Sequence, residues 1–103
     1  MIRFHDITSA ILQYHPKAQL DLVEKAYVYS AKAHQGQIRL SGEPYLSHSL
    51  EVAYILTQLK MDVVCVAAGL LHDTIEDTGV EFDEIKALFG EETANIVDGV
   101  TKI

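Results

Sequence analysis

The chain has 103 residues, 49% of them hydrophobic, and a formal net charge of −7. That length allows one domain with a workable core, and that apolar content argues against disorder. The acidic balance disfavours nonspecific nucleic-acid binding, which needs a basic footprint, and no apolar run approaches the ~20 residues that span a bilayer.

The N-terminal MIRFHDITS lacks the apolar stretch of a signal peptide, so a cytoplasmic protein is expected, with His5 and His15 as surface residues in polar surroundings. Pro16 opens a segment in which Leu22, Val23, Ala26, Tyr27, Ser30, Ala33 and His34 recur at helical spacing, and Gly36 ends it. Residues 36 to 47, GQIRLSGEPYLS, carry glycines and a proline without periodicity and read as an ordered loop. A second helix is predicted from Ser47 to Lys60, with Leu50, Ala53, Leu56 and Leu59 inward. Asp62 can cap a third, Val63 to Asp73, which is apolar nearly all round and therefore central. Within it Cys65, the only cysteine, reads as a buried inert thiol and leaves no internal disulfide or thiolate metal site. Glu81 to Phe89 makes a short fourth helix, with Ile85, Leu88 and Phe89 on one side and Gly90 as its stop. The last stretch, Glu91 to Ile103, has Ala94, Val97 and Val100 as its apolar stripe. No run alternates with period two, so the class is all-α. The final helix reaches Ile103 without a stop signal. The expectation is a single domain over 1–103, truncated at its C-terminal side, with apolar faces at Val97 and Val100 left uncovered and able to drive homo-oligomer formation.

The stretch LLHDTIEDT crowds Asp73, Glu76 and Asp77 behind His72. Like charges at i, i+3 and i+4 of a helix repel by about 0.2–0.5 kcal/mol per pair. A bound dication offsets that repulsion and lowers the pKa of a coordinated water toward ~7. Imidazole nitrogen with carboxylate oxygen suits Mn, Fe or Zn better than Ca or Mg, which makes His72 and Asp73 candidate ligands. Neighbours on a regular helix point about 100° apart, so both reach one ion only where the last turn distorts. Glu76 and Asp77 would then orient or deprotonate that water; the plainer alternative is an exposed acidic turn leading to Gly79. His34 lies on an apolar helix face and reads as a partly buried structural histidine, with a role in the site as the alternative. His48 begins a helix, and a helix start packed against another helix end would bring it toward His72 and Asp73. In the preceding loop Arg39 and Tyr45 are suited to holding a phosphate or flanking a base, against the alternative of a solvated arginine.

AHQGQIRLSGEPYLSHSLEVA, LLHDTIEDT and FGEETANIVDGVTKI, in this order and spacing, resemble the HD-domain hydrolase module at the N-terminus of RelA/SpoT homologue proteins, over Tyr27 to Ile103. The resemblance implies an HD-domain helical bundle that binds Mn2+ and removes the 3′-pyrophosphate of (p)ppGpp, the stringent-response nucleotide, to give GDP or GTP plus pyrophosphate. It implies metal ligation by His48, His72 and Asp73, activation of the attacking water by Glu76 and Asp77, and nucleotide contact by Arg39. The chain departs from the family's pattern in carrying Leu40 where a lysine is common and Ser49 where a proline is usual. The family's fourth metal ligand, an aspartate of a later helix, has no counterpart before Ile103. Two other readings stay open: a catalytically incomplete module acting as a scaffold, regulatory or dimerising unit, and an HD phosphohydrolase for another nucleotide.

Overall fold

The computed structural model describes residues 2–36, 38, 42, 44–74 and 81–101, with the backbone alone for Tyr45, Val100 and Thr101. Its helices are α1 (Phe4–Tyr14), α2 (Asp21–Ala33), α3 (Tyr45–Gln58), α4 (Val63–Leu71), α5 (Phe82–Phe89) and α6 (Glu91–Thr101). Among the described residues there is no strand; one bridge between Ile38 and Pro44 pinches the loop before α3. The all-α class therefore holds.

The centre is α4, and its sequence explains why. Asp62 accepts a hydrogen bond from the Cys65 N–H at 2.9 Å, which satisfies a donor that the first turn would leave orphaned. Val66 through Leu71 are then all buried. A helix apolar on every side needs neighbours on every side. Here α2, α3 and α6 pack against it, α1 covers α3, and α5 joins α6. Between α2 and α5, Lys25 donates to the Leu88 carbonyl at 2.5 Å and lies over the Phe89 ring, while the Tyr29 hydroxyl donates to Glu84.

The periodicity did not predict α1. Its apolar positions, Phe4, Ile7, Ile11 and Tyr14, are diluted by Thr8, Ser9 and Gln13. Tertiary contacts hold it: Ile7 and Ile11 are buried in the common core, and Phe4 stacks on Tyr27 of α2 at 4.5 Å between ring centroids. The Arg3 N–H donating to Asp6 at 2.9 Å closes its first turn.

Several predicted positions move. The first predicted helix starts at Asp21 rather than at Pro16 and ends at Ala33, with His34 as its cap. Leu59 is 62% exposed, not inward. It lies nine residues beyond the buried Leu50, about two and a half turns on at ~3.6 residues per turn, hence on the opposite face. The buried stripe of α3 is Ser49, Leu50, Ala53 and Thr57. Leu88 is 38% exposed, because Ile85 and Phe89 take the buried side of α5. Val97 is fully buried against the core, which overturns the expectation that it lies uncovered; the side chain of Val100 lies outside the described residues. After α3 the chain turns through Lys60 in a left-handed conformation, φ 59°. Met61 N–H bonds to Leu56 C=O and Lys60 N–H to Thr57 C=O, the paired bonds of a Schellman stop.

Candidate metal centre

The link between α3 and α4 is only residues 59–62, and helices joined so tightly pack as antiparallel neighbours. They approach closely at Gly69, where an added Cβ would stand 2.6 Å from Leu56 Cδ1 and 3.6 Å from Ala53 Cα. The first turn of α3, with His48, therefore lies beside the last turn of α4.

That last turn is closed by side chains. A helix leaves its final carbonyls without intrahelical donors. The Nδ1–H of His72 donates to the Gly69 carbonyl at 2.7 Å, and the Thr74 hydroxyl donates to the Leu71 carbonyl at 2.7 Å. These two bonds flank Asp73 and hold the turn that carries it. Thr74, fully buried, is a residue that sequence reasoning passed over; its signal was a hydroxyl placed three residues after a terminal carbonyl.

Three donors converge there. His72 Nε2 lies 3.1 Å from Asp73 Oδ1, and His48 Nε2 lies 3.7 Å from Asp73 Oδ2. The two imidazole rings are 5.2 Å apart at 58°. One ligand atom from each of the three residues fits within 4.8 Å of the others. The Asp73 carboxyl is held below the usual carboxylate range chiefly by its hydrogen bond to His72, with the charges of His72, His48 and His34 adding to that against the opposing effect of burial.

The donor chemistry fits a divalent cation. With Nδ1–H committed to the Gly69 carbonyl, neutral His72 presents an Nε2 lone pair directly to a carboxylate oxygen. Two acceptors at that distance need a proton or a metal ion between them. Donors bound about 2.1 Å from one ion at right angles stand about 3 Å apart. The backbone bond of His72 is also the kind of outer contact that fixes the ring of a metal-ligating histidine. Protons compete for this site at the imidazoles first, because Asp73 stays ionised well below neutrality. Divalent-metal affinity should therefore fall on acidification as protons displace the ion from the imidazoles, by up to ~10-fold per pH unit for each proton displaced. Calorimetric titrations at neutral and mildly acidic pH check it.

The other predicted residues are placed differently. His34 is buried at 3% exposure as the C-cap of α2. Tyr45 opens α3, and its side chain lies outside the described residues, as do Arg39, Leu40, Glu76 and Asp77. His5 and His15 are exposed, as predicted. Cys65 is only half-buried; burial and the neighbouring Asp62 push its thiol up, so it stays protonated. No described helix is long and apolar enough to cross a membrane.

A family model described as HD domain matches residues 26–103. The chain is 61% identical over 93 residues to a GTP pyrophosphokinase of Myxococcus xanthus, covering 90% of this chain and 12% of that protein. It is 46% identical over 103 residues to the GTP pyrophosphokinase rsh of Brucella melitensis, covering all of this chain and 14% of the relative. To the bifunctional (p)ppGpp synthase/hydrolase SpoT of Escherichia coli K12 it is 41% identical over 103 residues, covering 15% of the relative. The chain thus spans 12% to 15% of the length of these curated relatives. Among solved structures, a metazoan ortholog of SpoT that hydrolyzes ppGpp superimposes with a TM-score of 0.72 at 32% identity, over 79% of this chain and 48% of the other.

Proposed function

The chain belongs to the HD-domain family, and from that premise we propose that it is the hydrolase-type module of a (p)ppGpp 3′-pyrophosphohydrolase that uses Mn2+. The observation that carries this reading is the convergence of His48, His72 and Asp73. Similarity to a SpoT ortholog that hydrolyzes ppGpp supplies the substrate class.

His48 and His72 through Nε2, and Asp73 through its carboxylate, would hold the metal. When bound, Mn2+ supplies Lewis acidity and lowers the pKa of a coordinated water. In this reading Glu76 and Asp77 orient the attacking water and accept its proton. Arg39 sets the nucleotide by pairing with phosphate oxygens or lying against the guanine. The water oxygen attacks the phosphorus attached to the ribose 3′ oxygen. That P–O bond breaks, the 3′ oxygen leaves and takes up a proton, and pyrophosphate departs from GDP or GTP. A chain with net charge −7 gains from the cation when it receives so anionic a ligand.

Incubation of the chain with ppGpp and Mn2+ should release pyrophosphate and GDP in equal amounts, and Asp73→Asn should abolish both. Absence of release, or equal release by the variant, would overturn the assignment.

A further inference from the structure

Adjacent residues on a regular α-helix point about 100° apart, so His72 and Asp73 serve one ion only if the chain leaves the helical path where they stand. In the structure α4 ends at Leu71, directly before these two ligands. The Leu71 carbonyl accepts a hydrogen bond from a side chain, the Thr74 hydroxyl, at 2.7 Å. A side-chain bond to a backbone carbonyl three residues earlier competes with continuation of the helix. On the other side of Asp73, the His72 ring is tied to the Gly69 carbonyl at 2.7 Å. Asp73 thus stands between two side-chain anchors to the end of α4. Thr74 is also fully buried, at a position where valine has nearly the same shape and no hydroxyl to desolvate. A threonine there is accounted for by its bond and not by packing.

We propose that Thr74 is a positioning residue for the metal centre. By holding the Leu71 carbonyl, its hydroxyl sets the backbone of the turn over 72–74 so that the Asp73 carboxylate spans both imidazoles. One carboxylate oxygen then lies 3.1 Å from His72 Nε2 and the other 3.7 Å from His48 Nε2. His48 belongs to a different helix, so a rotation of this turn moves Asp73 away from it without any change in α3. Thr74 donates to the backbone and therefore acts through Asp73, not on the ion. The inference rests on the metal reading given above.

Mn2+ titrations of the 103-residue chain, followed by the free-ion EPR signal, test it. Thr74→Val keeps the shape and removes the hydroxyl; it should weaken Mn2+ binding by about 10–100-fold, the usual cost of losing an outer contact. Thr74→Ser restores the donor and should bring the affinity back to within about threefold of wild type. Ile11→Ala separates this from a general loss of stability, because it truncates a buried residue of α1, which packs on α3. Its melting temperature should fall, yet the folded protein should bind Mn2+ within about twofold of wild type. A folded Thr74→Val that binds Mn2+ within about twofold of wild type overturns the inference and leaves the metal reading intact. So does a Thr74→Ser as weak as Thr74→Val, or an Ile11→Ala equally weak. If Thr74→Val does not fold, Thr74→Ala is held to the same limits. A wild-type chain that binds no Mn2+ overturns both readings.

Discussion

Replacing Asp73 by asparagine should weaken Mn2+ binding by at least about 100-fold, more than loss of an outer contact costs. The change keeps the shape of the side chain and removes its charge. It deprives both imidazoles of their anionic partner, since Oδ1 faces His72 and Oδ2 faces His48. The fold should hold, because the terminal carbonyls of α4 are satisfied by His72 and Thr74 and not by Asp73. In the metal-free protein near neutral pH an asparagine amide can donate to the His72 Nε2 lone pair, so the melting temperature should stay the same or rise. The sign reverses in mild acid. The depressed Asp73 carboxyl contributes stability that is present above its unfolded value, about 3.9, and is lost as the pH falls through its folded value. The variant lacks that contribution, so it should be less stable than wild type in mild acid, above the folded value of the carboxyl. Thermal melts of both proteins with and without Mn2+ give all three comparisons.

The largest loss of stability should come from Leu70→Ala. Leu70 is fully buried in the helix that α2, α3 and α6 enclose. Truncating a core leucine costs about 2–5 kcal/mol, part transfer and part cavity. Domains of this size hold about 5–15 kcal/mol in total, so the variant should lose a large fraction of its stability in urea. Leu59→Ala is the matched control: at 62% exposure it should change stability by less than about 0.5 kcal/mol. Mn2+ should restore part of what Leu70→Ala removes, because an ion that binds only the folded form stabilises it by mass action.

The parts of this architecture written most plainly in the chain are those that one helix determines by itself. VVCVAAGLL is too uniformly apolar to lie anywhere but the centre, and Asp62 in front of it has the stereochemistry of a cap. The approach of His48 to His72 and Asp73 stayed open in the sequence, conditional on the start of one helix packing beside the end of another; the link of residues 59–62 gives the two helices that packing. Features that depend on a neighbour were hidden. α1 owes its helix to burial of Ile7 and Ile11 and to the Phe4–Tyr27 stack, none of which shows in its own polar-rich pattern. The exposure of Leu59 follows from helical phase, but counting apolar residues without tracking phase placed it inward. Val97 needed the packing of α6 on α4 to be recognised as core. The burial of His34 as the cap of α2 depends on how α2 packs along α4, which spacing along the chain does not encode.

Pulsed EPR of the Mn2+-loaded protein tests the metal centre most directly. Hyperfine coupling to imidazole 14N should be present in the wild type, fall by one nitrogen in His48→Ala or His72→Ala, and vanish in the double variant. Mn2+ bound without any 14N coupling, or with coupling unchanged by either substitution, would contradict a centre built from His48, His72 and Asp73.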